Sequence, residues 1–147
     1  KTISYPNESQ VFSILKLENG IAGTLSVNGD STIQDQAHFM IYGKKGILKL
    51  SDPNTFGGDV IYLPAQKDFK DHPAPQILNY GFSYSENSRG LGPSEMADAI
   101  FEKRTNRANA ELAVHVLDVI DHMVESSEKC AFVQVDSTCT RPEPMPL

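Results

Sequence analysis

The sequence has no tryptophan and only two cysteines in 147 residues, Cys130 and Cys139. Two thiols make no disulfide framework, and a chain this long can bury about 70% of its unfolded surface without one. Both cysteines read as reduced side chains, the expectation for a cytoplasmic protein. Basic residues are few: 13 Lys+Arg stand against 19 Asp+Glu, for a net charge of -6. Scattered along the chain, they form no stripe that could neutralise phosphates, so nucleic acid is excluded as a partner. No apolar run approaches the roughly 20 residues a membrane-spanning helix needs, so no membrane partner is expected. The chain opens Lys1-Thr2-Ile3-Ser4-Tyr5-Pro6, with neither Met nor an apolar leader, which suggests a piece of a longer protein.

Several chemical signatures are missing too. There is no phosphate loop of the Walker type and no nucleophile elbow. Gly90-Leu91-Gly92 looks like the start of a dinucleotide loop, but its third glycine would fall at Glu95, and Pro93 removes an N–H such a loop would use. Glu111, His115, Asp118, His122 and Glu125 share one polar stripe of a helix. His115 and His122 lie seven residues apart, about 10.5 Å along the axis, too far for one zinc ion. The stripe is read as solvated or facing an interface, as are Glu95, Asp98 and Glu102 on the preceding helix. No catalytic residue, metal ligand or cofactor contact is assigned.

What remains is a pattern of strands followed by helices. Val11–Leu17 and Ile21–Val27 flank Glu18-Asn19-Gly20, a strong hairpin signal. Folding about Asn19-Gly20 pairs Leu17 with Ala22, Leu15 with Thr24, Ile14 with Leu25 and Phe12 with Val27. One face then carries Phe12, Ile14, Leu25 and Val27. The other carries Val11, Ser13, Leu15, Leu17, Ala22, Thr24 and Ser26, neither plain core nor ordinary solvent surface because it mixes Leu and Val with small hydroxyl side chains. A second hairpin joins Phe39–Tyr42 to Ile47–Leu50, and Val60–Leu63 and Ile77–Tyr84 add strands. Tyr84, Asn87 and Arg89 lie in the loop before the first helix, where binding residues often sit. One helix opens at Gly92-Pro93; a longer one follows Arg107 with apolar residues at spacings of three and four. Ala131–Val135 reads as a last strand that begins at Cys130. The expectation is one α+β domain over 1–147: a large, mostly antiparallel open sheet with helices on one face.

Five strings, in order, carry a resemblance. They are Leu17-Glu18-Asn19-Gly20-Ile21-Ala22-Gly23-Thr24-Leu25, Ile41–Gly58, Arg89–Ile100, Arg107 through Glu111–Leu117, and Thr140-Arg141-Pro142. Together they resemble the C-terminal domain of the glucose–fructose oxidoreductase / inositol dehydrogenase / MocA family (Gfo/Idh/MocA). That resemblance implies an NAD(P)-dependent dehydrogenase acting on a sugar, inositol or related hydroxyl compound. It implies NAD or NADP carried by an N-terminal Rossmann partner that this chain lacks, and homo-oligomers formed through the sheet. The isolated chain is expected to be inactive and to bind no cofactor. Tyr84, Asn87 and Arg89 would border the substrate cleft, and Ser13, Leu15, Leu17, Ala22 and Thr24 would lie at the interface. The competing reading is a stand-alone β-sheet interaction module. A carbohydrate-binding domain fits poorly, given no Trp and 5 Tyr.

Overall fold

The computed structural model describes residues 8–29, 39–53, 56–78, 84 and 88–145. Six strands and two helices follow one another: β1 (Gln10–Lys16), β2 (Ala22–Asn28), β3 (Phe39–Gly43), β4 (Gly46–Leu50), β5 (Val60–Pro64), β6 (Gln76–Leu78), α1 (Leu91–Glu102) and α2 (Ala110–Lys129). The fold is α+β. Its strands form two open antiparallel sheets, one of β1-β2 and one in the order β3-β4-β5-β6. Two compact units divide the chain: Lys1–Gln36 with Asp121–Gln134, and Ala37–Ile120 with Val135–Leu147.

In the first unit the hairpin forms as expected, but in a different register. Lys16 faces Ala22, Ile14 faces Thr24, Ser13 faces Leu25 and Val11 faces Val27. Every predicted pair slips by one residue. The cause is the turn. A two-residue turn on Asn19-Gly20 needs positive φ at both positions, and only Gly20 adopts it, at +83°. The loop therefore holds three residues, closed by Gly20 N–H donating to the Leu17 carbonyl (2.9 Å) and Leu17 N–H donating to that of Ile21 (2.8 Å). Asn19 Oδ1 accepts the Ile21 N–H (3.1 Å).

A one-residue slip exchanges the faces of one strand against the other. Leu25 and Val27 join Val11, Ser13 and Leu15, whose side chains are half-buried. Ala22, Thr24 and Ser26 join Phe12 and Ile14, which are 72% and 63% exposed. The five predicted interface residues thus do not share a face. Ser13 and Leu15 lie on one side of the ribbon, Ala22 and Thr24 on the other, and Leu17 stands in the connection rather than in β1.

In the second unit Gly43 pairs with Gly46 across a Lys44-Lys45 turn. Gly46 has φ +149°, and a Cβ there would overlap the Leu63 carbonyl and lie 2.7 Å from the Tyr62 ring. The Tyr62 hydroxyl and the Ala65 N–H both donate to the Lys45 carbonyl (2.7 and 2.9 Å), fastening this turn to β5. The register places Met40, Tyr42, Ile47, Ile61 and Leu63 on one face and Phe39, Ile41, Leu48, Leu50 and Val60 on the other. Antiparallel sheets usually wet one face; this one is largely apolar on both, with Lys49 beside Met40 and Ile61 on the first face and Gln76 beside Tyr62 on the second. Of the predicted strand Ile77–Tyr84, β6 covers Ile77 and Leu78, residues 79–83 lie outside the described residues, and Tyr84 is not in a strand.

Both helices end alike. Lys103 takes a left-handed conformation after α1 (φ 55°), with Arg104 N–H donating to Ala99 O (3.0 Å) and Lys103 N–H to Ile100 O (3.3 Å). Cys130 does the same after α2 (φ 51°), with Ala131 N–H donating to Ser126 O (3.2 Å) and Cys130 N–H to Ser127 O (3.3 Å). These paired bonds satisfy the last carbonyls of each helix, a task glycine usually performs. Asn109 caps the start of α2, its Oδ1 accepting Leu112 N–H (2.9 Å). Residues 131–135 do not form the expected strand. Cys130 is a helix stop, not the opening of a strand.

Candidate functional site

Sequence reasoning placed Glu95 on a solvated face. It is instead one of the two buried residues of α1, with Ala99. In a helix, Glu95 and Ala99 are one turn apart and so face the same way. The turn at Lys103 reverses the chain and returns Arg104 and Arg107 to that face. Arg104 Nη1 donates to Glu95 Oε1, and its Nε to Glu102 Oε2. Arg107 Nη1 donates to Glu95 Oε1 (2.7 Å) and its backbone N–H to Glu95 Oε2 (3.1 Å). A carboxylate cannot stay buried unless such partners replace water. The Arg104 hydrogen bond, more than any other contact, holds the Glu95 carboxyl below the usual glutamate range; desolvation pushes the other way and the Arg107 bonds add to the lowering. Arg104 is correspondingly raised, by Glu95 first and Glu102 second. An ionised carboxylate gripped in this way has no proton to exchange near neutral pH. Its role is to hold backbone in place.

Arg107 continues the network. Its Nε donates to Glu143 O (2.8 Å) and its Nη2 to Pro144 O (3.2 Å), so one guanidinium joins α1 to the C-terminal segment. The same segment lies along the polar stripe of α2. Ser137 N–H donates to Asp118 Oδ2 (2.9 Å), Thr140 N–H donates to Glu111 Oε1 (3.1 Å), and Ser137 Oγ and His115 Nδ1 share a hydrogen bond (2.9 Å). The first half of the stripe is therefore a track for an extended peptide. Farther along α2, His122 Nε2 lies 3.8 Å from Glu125 Oε2, and Glu125 accepts from Lys129, which lowers the one and raises the other. Among the described residues no three His, Cys, Asp or Glu side chains are grouped to hold a metal ion.

Of the predicted cleft residues, Tyr84 and Arg89 are exposed, with Arg89 in the turn that leads into α1; Asn87 lies outside the described residues. Arg104 and Arg107 were missed. The sequence signal was two arginines just beyond a helix whose Glu95, Asp98 and Glu102 are spaced along one side.

The family model described as "Oxidoreductase family, C-terminal alpha/beta domain" (Gfo/Idh/MocA) matches residues 4–135. The chain belongs to that family. No curated protein and no solved structure matches it. Two of the strings that resemble the Gfo/Idh/MocA domain are joined by the ion pair: Glu95 lies within Arg89–Ile100, and Arg107 opens the next. Glu95 also stands where a dinucleotide loop needs its third glycine. There it presents a paired carboxylate rather than backbone N–H groups, which does not fit a pyrophosphate. No helix among the described residues is long and apolar enough to cross a membrane.

Proposed function

We propose that this domain completes the substrate pocket and assembles the subunits of an NAD(P)-dependent dehydrogenase acting on a sugar, inositol or related hydroxyl compound. The cofactor belongs to a Rossmann partner, and the working location is the cytoplasm. The observation that carries the reading is the family match over residues 4–135. A sheet largely apolar on both faces supports it, because such a sheet needs cover on each side. Tyr84 and Arg89, at the entrance to α1, are the residues proposed to border the cleft. The assembly surface is the bare side of the β1-β2 ribbon, with Ala22 and Thr24 beside Phe12 and Ile14. Ser13, Leu15 and Leu17 serve the hairpin's other side and its turn.

Titration of the chain with NADH and NADPH tests this division of labour, read by nicotinamide fluorescence and by melting temperature. No saturable signal is expected. A ligand bound at 100 times its dissociation constant would stabilise the fold by about 2.7 kcal/mol, and such a shift with either nucleotide overturns the proposal.

A further inference from the structure

The C-terminal segment is held as a bound peptide would be. Ser137 N–H reaches Asp118, Thr140 N–H reaches Glu111, the Ser137 hydroxyl meets His115, and the carbonyls of Glu143 and Pro144 accept from Arg107; of these five bonds, four are made to main-chain atoms of the segment. The side chains of Thr138, Thr140, Arg141 and Glu143 are exposed. Pro142 and Pro144 fix their own φ and hold the residues before them extended, a conformation that leaves carbonyls free to accept. The segment is therefore recognised by its extended main chain more than by its side chains.

The surface beneath it fits that length, and all of it lies in the second unit. Glu111 and Asp118 are two turns apart on α2, about 10.5 Å along the axis, with His115 between them on the same side. An extended chain advances about 3.3 Å per residue, so the N–H groups of Ser137 and Thr140 are about 10 Å apart. The two spacings match. Arg107 does not depend on the segment for its position. Glu95 binds its Nη1 and its backbone N–H (2.7 and 3.1 Å), which leaves Nε and Nη2 for the carbonyls of the segment. A planar guanidinium fixed on one edge presents a rigid pair of donors on the other, and a site ordered in advance loses little on binding.

We infer that the Glu111–Asp118 face of α2, together with Arg107, is a binding site for an extended, proline-containing peptide, and that residues 137–144 are its replaceable occupant. The class of ligand follows from the contacts: two N–H groups three residues apart, followed by a proline-rich stretch whose carbonyls are free. A separate peptide with that pattern competes for the site, and the tethered segment, present at high effective concentration, sets the threshold it must overcome. The inference does not rest on the reading of the domain as part of a dehydrogenase.

Fluorescence anisotropy of a labelled peptide of sequence Val135–Leu147, titrated with the 147-residue chain, tests the inference. In a Ser137→Pro, Thr140→Pro chain the resident segment loses both N–H donors while every residue of the track is kept, and the peptide should bind saturably. The wild-type chain should bind it at least about tenfold more weakly. Methylating the peptide nitrogens at Ser137 and Thr140 should abolish binding, whereas Thr138→Ala with Arg141→Ala in the peptide should leave it unchanged. A second arm does not depend on how the double variant folds. Unlabelled peptide at roughly millimolar concentration should speed deuterium exchange of the Ser137 and Thr140 amides in the isotope-labelled wild-type chain. A folded double variant that ignores the peptide, a methylated peptide that binds as tightly as its parent, or wild-type exchange unmoved by the peptide overturns the inference.

Discussion

At the residue scale, Lys103 and Cys130 show what local patterning cannot reveal. Apolar spacing located both helices, but neither stop carries glycine, the residue that announces a left-handed cap. Each residue pays for its Cβ in that conformation, and replacement by glycine should stabilise the fold. We expect Lys103→Gly and Cys130→Gly each to add about 1 kcal/mol in urea denaturation. Gly46 is the opposite case. Its backbone angle and the nearness of Leu63 and Tyr62 leave no room for a methyl group, so Gly46→Ala should cost about 1–3 kcal/mol by the same measurement. Glu95 supplies a pH signature. Its folded pKa is lowered, so the stability it contributes is complete above the usual glutamate range and is lost as pH falls through the lower native value. Glu95→Gln should therefore melt lower at neutral pH, and its melting temperature should fall less steeply on acidification than that of the wild type.

At the element scale, β3, β4, β5 and both helices were legible because their signals are local: alternation, turn residues, a proline in the first helical turn, apolar residues at helical spacing. Three features were not. The β1-β2 register depended on whether Asn19 as well as Gly20 would take positive φ, a choice that the dipeptide leaves open. The segment 131–135 had strand composition but forms no strand, and just beyond it the N–H groups of Ser137 and Thr140 go to Asp118 and Glu111 rather than to a neighbouring strand. Glu95 looked solvated because its partners arrive from beyond a chain reversal. Deleting the chain after Asp136 tests the second point. It removes the acceptors of Arg107 and the donors to Glu111 and Asp118, and the melting temperature should fall by roughly 5 °C or more. An unchanged melt would mean that the segment contributes nothing.

For the whole molecule, the family and the fold class could be read in advance, whereas which residues share each face of the β1-β2 ribbon could not. Since the ribbon's two sides are exchanged on β2, Leu15 and Thr24, which the sequence pattern puts on one face, should respond differently to substitution. Thr24→Lys and Ile14→Lys, on the bare side, should yield monomers in light scattering at unchanged melting temperature. Leu15→Lys, on the half-buried side, should instead lower the melting temperature. If Leu15→Lys alone gives stable monomers, the assembly surface is on the other side of the hairpin.

The three-way grip of Arg107 has a practical consequence. Because Arg107 bonds both Glu95 and the carbonyls of Glu143 and Pro144, the amides of residues 104–107 should exchange with deuterium at a rate that reports whether residues 143–144 are seated. Anyone fusing a label to that end, or trimming it, would be adjusting the foot of α1 from a distance.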